Sequence, residues 1–273
     1  MQFSIPIPVH ETPKRLYKKC LESVCNQLTE YSNKFMDYEV VVMIDSHSRQ
    51  NKQLLYLTNQ FRNNHPEIIW QVHVLEHAEN VSVVRNALLS KVRGDWTIWV
   101  DSDDTIVPTM LWQIHKRIMQ NGNSIDGYVS KFNLLGDTSL FDANDTWIDN
   151  YATEGPYSSF CEEFSHKWLR IIPTCNCSLC YNTEYLKKLR IRFDESLSRY
   201  EDFNYNMQIL CHEPRLYKIP LALYNYYKRS GSLSTAQIGT NMHEFLRVRK
   251  LTAEIIAKTN PNCRFTSEEI IDT

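Results

Sequence analysis

Asp95-Trp96-Thr97-Ile98-Trp99-Val100-Asp101-Ser102-Asp103-Asp104 runs an apolar stretch directly into three carboxylates. A short continuous apolar run reads as a strand buried on both faces, the kind that builds parallel sheets. In open α/β sheets ligands bind beyond the carboxyl ends of the strands, so Asp101 to Asp104 fall where a ligand would sit. Like charges this close repel, and the cluster is costly unless a cation or donors compensate. Carboxylate oxygens suit hard cations such as Mg²⁺ or Mn²⁺, which also bridge to phosphates. Acidic residues ahead of Pro108 would favour a helix dipole as well, but capping accounts for one Asp rather than three.

Working outward, the flanking pattern alternates strands and helices. Phe3, Ile5, Ile7 and Val9 alternate as one strand face, with Pro6 and Pro8 predicting irregularity at its end. Thr12-Pro13 opens a helix, Thr as N-cap and Pro at the first helical position, and Leu16, Cys20, Val24 and Leu28 follow at helical spacing. Tyr38 to Ile44 form a second buried run that ends in Asp45. The pattern then predicts a helix over 50–62, a strand over 68–75, a helix over 82–92 carrying Val83, Val84, Ala87, Leu88 and Val92 on one face, and a helix from Pro108 to about Gln120. This order implies an α/β fold with a doubly wound, mostly parallel central sheet flanked by helices. The second half is less regular. Residues 136–160 read as loops over the site, 161–170, 183–190, 200–212 and 241–258 as helices, and 215–219 and 222–228 as short strands.

Composition removes several classes. Only 7 of 273 residues are glycine, where average usage gives roughly 19. No G-x-G-x-x-G or G-x-x-x-x-G-K-[ST] occurs, so a phosphate would not be held by a glycine nest. A net charge of -2 weighs against a nucleic-acid partner. The N-terminus lacks a signal-peptide pattern, and no apolar stretch approaches the ~18 residues that span a bilayer. The expectation is a cytoplasmic protein with eight reduced thiols, in which the sequons at Asn80, Asn144 and Asn176 are inert. Cys175-x-Cys177-x-x-Cys180, with Cys161 and His166 upstream, lacks the paired spacing of structural zinc sites and reads as buried thiols. Met242, Phe245, Val248, Leu251 and Ile255 share one helical face; it reads as packing on the domain, with peripheral contact at the inner face of a membrane as the alternative.

Several segments in order carry a family resemblance: SIPIPVH at 4–10, EVVVMID at 39–45, RNALLSKVRGDW at 85–96, WVDSDD at 99–104, IRFDESLSRYED at 191–202 and YNYYKRSGSLS at 224–234. Together they resemble the inverting family 2 glycosyltransferases of the GT-A fold. The resemblance implies a site residue by residue. Pro8, Val9 and His10 lie at the first-strand end that touches the nucleotide base, and Asp45 makes a base contact. Arg85 lies near the nucleotide. Asp101, Ser102 and Asp103 line the donor, Asp103 near the ribose, while Asp103 and Asp104 hold the metal. Asp202 is the catalytic base, with Glu201 orienting it or binding the acceptor. Lys228, Arg229 and Ser232 to Ser234 lie near the diphosphate. This chain departs from the pattern at Ile44, Ser46, His10, Glu11, Val83 and Val84.

The implied reaction is transfer of a sugar from a nucleotide-sugar, a UDP-sugar by preference, to a hydroxyl of a glycan, lipid-linked or small-molecule acceptor, with Mn²⁺ or Mg²⁺ on the diphosphate. The implied division is a nucleotide-sugar-binding half over 1–135, an acceptor-binding and catalytic half over 136–239, and a helical tail over 240–273. The competing readings are a Mg²⁺-dependent nucleotidyltransferase, against which the missing glycine-rich loop argues, and a non-catalytic GT-A-like domain that binds glycan or a partner protein.

Overall fold

A computed structural model of the chain describes residues 1–10, 12–45, 49–76, 78–137, 154–156, 176–177, 179–230, 241–263 and 267–271. The expected helix at 161–170, most of the loop region over 136–160, His166, Cys161, Cys175 and Ser232 to Ser234 lie outside these residues.

The first strands follow the apolar runs. β1 (Phe3–Val9) and β2 (Tyr38–Asp45) are buried along their whole length, as central parallel strands require. β3 (Ile69–Leu75) pairs with the outer side of β2 and is half-buried apart from exposed Ile69 and Val74, an edge. β4 (Trp96–Ile98) lies on the other side of β1. The β1–β4 ladder covers only Phe3↔Trp96 and Ser4↔Thr97. Pro6 accepts from the Val100 N–H at 3.2 Å, so its nitrogen, which carries no hydrogen, also faces β4 and cannot extend the ladder. Toward β2 the strand stays regular to Val9. Gly94 precedes β4 where a Cβ would stand 2.5 Å from the Phe3 carbonyl carbon, so only glycine permits this approach.

Among the described residues the sheet continues as β3-β2-β1-β4-β8-β6-β9-β5, with β7 (Gly155–Pro156) on β9. β8 (Leu179–Asn182) is antiparallel to both β4 and β6 (Gly127–Gly136). β9 (Leu216–Lys228) runs parallel to β6 and pairs with β5 (Thr105–Ile106). The two short strands expected over 215–228 are thus one long strand, irregular where β6 shifts register between Ser130 and Phe132. One sheet joins the N-terminal half to the C-terminal half.

Helices cover both faces. α1 (Lys14–Cys25) and α2 (Arg49–Asn64) lie on one side, where Tyr17, Cys20, Leu21 and Val24 meet Phe3, Ile5 and Val40. α1 begins one residue later than expected: Pro13 occupies the cap position, and the Thr12 hydroxyl bonds Ser102 at 2.5 Å instead of capping. α3 (Val81–Leu89) is capped by Asn80, whose Oδ1 accepts from the Ser82 and Val83 N–H groups. Its buried face holds Ser82, Val84, Arg85, Asn86 and Leu88, more polar than the apolar stripe the sequence predicts. α4 (Met110–Asn121) and α5 (Thr183–Leu189) flank the middle of the chain. α6 (Glu201–Leu210) packs against α7 (Asn241–Thr259) through Val248, Ala253 and Ile256 and an Asn204–Thr252 hydrogen bond of 2.8 Å; α8 (Ser267–Ile271) follows. The buried face of α7 is therefore a packing face.

Cys20, Cys25, Cys180, Cys211 and Cys263 are free, but Cys177 is disulfide-bonded. This corrects the expectation that every thiol is reduced. That expectation came from compartment alone, which says nothing about which sulfurs the fold brings together.

Candidate active site

β1, β2 and β4 deliver their carboxyl ends to one edge of the sheet. Asp45 ends β2 and is 1% exposed. His10, just past β1 and exposed, places Nδ1 3.1 Å from its Oδ2. Pro8 and Val9 are buried in β1, so a ligand at this strand end meets their backbone and the His10 ring.

The Asp101–Asp104 turn follows β4. The Asp104 N–H donates to the Asp101 carbonyl at 3.0 Å, and Ser102 is buried against Thr12. The three carboxylates differ in surroundings. Asp101 is partly exposed and accepts from Arg85 at 3.0 Å. Asp103 is partly exposed and pairs with Arg229 at 3.1 Å. Asp104 is 1% exposed; Oδ2 accepts from the Tyr224 hydroxyl at 2.7 Å and Oδ1 from the Tyr227 N–H at 2.6 Å. Burial, then the charges of Asp103 and Asp101, push the Asp104 carboxyl well above its usual range. Burial and the Asp101 charge also raise Asp103, with Arg229 opposing.

Arg85 joins this turn to the opposite wall. Its guanidinium is buried, bonded to Asp101 and to Glu201, the first residue of α6, and lies 5.5 Å from the Phe193 ring centroid. It thus braces two carboxylates, with the remaining charge of the site around it. Asn86, one residue on, exchanges bonds with the Phe193 backbone at 2.9 Å and accompanies Glu195 at 2.8 Å, tethering the 191–200 segment to α3. Tyr200, just before α6, takes φ 56°, a left-handed conformation that costs a non-glycine residue about 1–2 kcal/mol. Its ring is held 4.8 Å from Phe245 of α7.

Glu201 and Asp202 occupy the first turn of α6, where negative charge is favoured. Asp202 Oδ1 accepts from the Phe203 N–H at 2.8 Å. Burial and the neighbouring Glu201 charge push its carboxyl up to about 7, against the pull of Arg85 and that N–H. A carboxylate with this affinity is suited to proton transfer near neutral pH.

The expected site residues thus gather around the strand tips, with Asp104 turned into the protein. Four contributors escaped the sequence reading: Tyr224 and Tyr227 as partners of Asp104, and Asn86 and Glu195 behind Arg85. All four fall inside the segments that carry the resemblance, but nothing local assigns these roles, since each acts across more than 100 residues of chain.

This mixed α/β architecture, with carboxylates at the strand tips, is that of GT-A-type glycosyltransferases. The chain belongs to glycosyl transferase family 2, whose model matches residues 4–163. Two curated relatives, the poly(ribitol-phosphate) beta-N-acetylglucosaminyltransferases TarS of Staphylococcus aureus strains Mu50 and MW2, are each 26% identical over 260 residues. That alignment covers 93% of this chain and 40% of each relative, so the chain spans about two fifths of their length. S. aureus TarS 1-349 in complex with UDP-GlcNAc superimposes with a TM-score of 0.76 at 21% identity, over 99% of this chain and 70% of that one. The mannosyltransferase PcManGT of Pyrobaculum calidifontis, in complex with GDP-Man and Mn²⁺, gives 0.58 at 12%, over 99% and 67%. These likenesses establish the fold. Among the described residues no helix is long and apolar enough to cross a membrane.

Proposed function

We propose that the chain is an inverting glycosyltransferase that moves a sugar from a UDP-sugar to an acceptor hydroxyl on a glycan, with Asp202 as general base. The observation that carries this reading is the Asp101–Arg85–Glu201 ion-pair chain, which ties the strand-tip carboxylates to the helix turn that bears Asp202. The UDP and UDP-GlcNAc complexes of TarS support the donor class, and the TarS name supports a polymer acceptor and a polysaccharide role. A cytoplasmic location fits these substrates.

The donor set fits a divalent cation held in part by the protein. Arg85 and Arg229 each engage one oxygen of Asp101 and of Asp103, leaving a second oxygen of each carboxylate outside those pairs. Mg²⁺ and Mn²⁺ are commonly held by one or two carboxylates, with phosphate and water completing the shell. We assign Asp103 and Asp101 as the residues that would hold the ion; Asp104, with both oxygens occupied, fits poorly. When bound, the ion stabilises charge on the diphosphate leaving group.

Asp45, His10 and the β1 end provide the base-side wall, and Arg229 approaches the diphosphate side from the end of β9. Arg85 orients Asp101 and Glu201. The ionised Asp202 carboxylate takes the acceptor hydroxyl proton as that oxygen bonds the anomeric carbon and the bond to the diphosphate breaks. A single displacement inverts the anomeric centre. In this reading residues 1–135 bind the nucleotide-sugar, 136–239 supply base and acceptor contacts, and 240–273 brace α6.

The test is UDP binding by calorimetry with Mn²⁺ and with chelator, together with UDP release from a panel of UDP-sugars. The expected result is binding that falls at least about tenfold on chelation and release from at least one donor. Metal-independent affinity would refute the metal assignment, and absence of release from every donor would refute the transferase reading.

A further inference from the structure

We propose that Tyr224 is a positioning residue of the donor site: its hydroxyl locks the Asp101–Asp104 turn so that Asp101 and Asp103 face the ligand, with Asp104 as the buried anchor of that turn. The inference rests on the metal-dependent donor site proposed above and assigns the device that shapes it.

Tyr224 is fully buried in β9. Its single oxygen accepts from the Asp101 N–H at 3.1 Å and donates to Asp104 Oδ2 at 2.7 Å. A phenol can do both at once, so one atom closes the turn at its first and last residues. The other Asp104 oxygen is held by the Tyr227 N–H. Around this point β9 grips the segment that follows: Thr105 and Ile106 pair with Asn225 and Tyr224, Asn225 Nδ2 donates to Thr105 Oγ1 at 3.0 Å, and the Val107 N–H donates to the Leu223 carbonyl at 3.0 Å. The acidic turn is therefore clamped by a strand some 120 residues downstream, and Tyr224 is the only part of the clamp that touches both of its ends.

The geometry explains how neighbouring aspartates divide their work. Asp104 spends its carboxylate on β9, which fixes the backbone path and turns the two partly exposed carboxylates outward. Without the Tyr224 hydroxyl, the Asp101 N–H loses a partner, and so does Asp104 Oδ2, which is buried from water. Buried polar groups in that condition drive rearrangement, and the carboxylates presented by the turn would move with it.

The test follows Mn²⁺ uptake directly, from the electron paramagnetic resonance signal of the free ion, in the presence of UDP. Wild type, Tyr224→Phe, Asp104→Asn and Asp103→Asn are compared, with melting temperatures recorded for each. Tyr224→Phe is expected to weaken Mn²⁺ binding about 10- to 100-fold, as loss of a residue supporting metal ligands does. Its activity should recover in part at high Mn²⁺, which a general loss of folded protein would not give. Asp104→Asn, whose Oδ1 can still accept from the Tyr227 N–H and whose Nδ2 can donate to the Tyr224 oxygen, keeps the clamp and is expected to bind Mn²⁺ within a few-fold of wild type, whereas Asp103→Asn loses it. Should Tyr224→Phe not fold, Asp104→Ala, which removes the acceptor of the same hydroxyl, carries the decision: the same weakening of about 10- to 100-fold is expected, and wild-type affinity overturns the role of Tyr224. Wild-type affinity in Tyr224→Phe, or loss in Asp104→Asn as complete as in Asp103→Asn, overturns the role of Tyr224 and leaves the donor site standing. A wild type that binds UDP with no Mn²⁺ uptake overturns the metal reading and this inference together.

Discussion

Asp202→Asn should abolish turnover and yet make the protein more stable at pH 8. Burial and the Glu201 charge raise the Asp202 carboxyl from 3.8 to about 7. The folded chain therefore keeps a proton that the unfolded chain gives up near 3.8. Between those two values the folded state binds more protons, so stability falls as pH rises through the window and stays reduced above about 7. At about 1.36 kcal/mol per pH unit, the displacement from 3.8 to about 7 corresponds to about 4 kcal/mol. Asparagine removes the charge and can still accept the Phe203 N–H through Oδ1. It forgoes the helix-dipole attraction of a first-turn anion, about 0.3–1 kcal/mol, which leaves a net gain of about 3 kcal/mol. At roughly 2–4 °C per kcal/mol in domains of this size, the melting temperature at pH 8 should rise on the order of 6–12 °C. The gain should shrink as pH is lowered toward 4. Loss of a general base should cut kcat by about 10²–10⁴ while calorimetry still detects UDP binding, and wild-type kcat/KM should climb through about pH 7 to a plateau. A variant less stable than wild type at pH 8, a stability difference independent of pH, or turnover within tenfold of wild type would each refute the reasoning.

Arg85→Met strands Glu201 and Asp101 without their shared cation, and should cost about 3–5 kcal/mol in urea denaturation; unchanged stability would mean that the pair is not structurally coupled. Glu39 is buried in β2, and although burial pushes its carboxyl up, bonds from Ser4, Gln71 and Arg93 outweigh this and hold it below the usual range. Glu39→Gln should lose about 1.5–3 kcal/mol at pH 7. Because the folded value is depressed, that advantage is present above the ordinary carboxylate range and disappears as pH falls through the folded value, so the two melting curves should converge in acid.

The sheet was legible wherever burial on both faces leaves a continuous apolar run. Val40 to Ile44 and Trp96 to Val100 announce central strands because burial on both faces leaves them almost wholly apolar, Thr97 alone being polar and bonded to Thr183. Asp45 and the Asp101–Asp104 turn stand out for the opposite reason, as charges where apolar patterning stops, whereas the Glu201-Asp202 pair follows a polar segment and is marked only by the family resemblance. What escaped is pairing at a distance. The resemblance implies Asp103 and Asp104 alike as metal ligands, and only the fold shows Tyr224 and Tyr227 covering the second of them. The resemblance places Arg85 near the nucleotide, and the fold adds two carboxylate partners 16 and 116 positions away that no local pattern shows. Thr12 reads as a cap because its true partner, Ser102, is 90 residues on. Each miss is a side-chain choice between a local role available to the isolated segment and a distant one that exists only after the sheet forms.

The charge balance of the assembled site bears on why glycine is so scarce in this chain. A glycine nest meets phosphate with backbone N–H groups and needs no counter-ion. Here Asp101, Asp103 and Glu201 face Arg85 and Arg229, while Asp104 and Asp202 are both driven toward their neutral forms by burial. Arg85 and Arg229 are thus outnumbered by the carboxylates they face. A nucleoside diphosphate adds more negative charge to a site already short of cations, so Coulomb repulsion opposes its entry unless a divalent ion comes with it. Donor and metal should therefore bind with positive coupling, each raising the affinity of the other by the same factor, as linkage requires. The ionisation of Asp202 belongs to the same balance. An ion placed beside Asp101 and Asp103 offsets the negative field that, together with burial, keeps the base protonated, and so favours the form that accepts the acceptor's proton. In the proposed mechanism, loading the donor site with a metal would prepare Asp202 as the base.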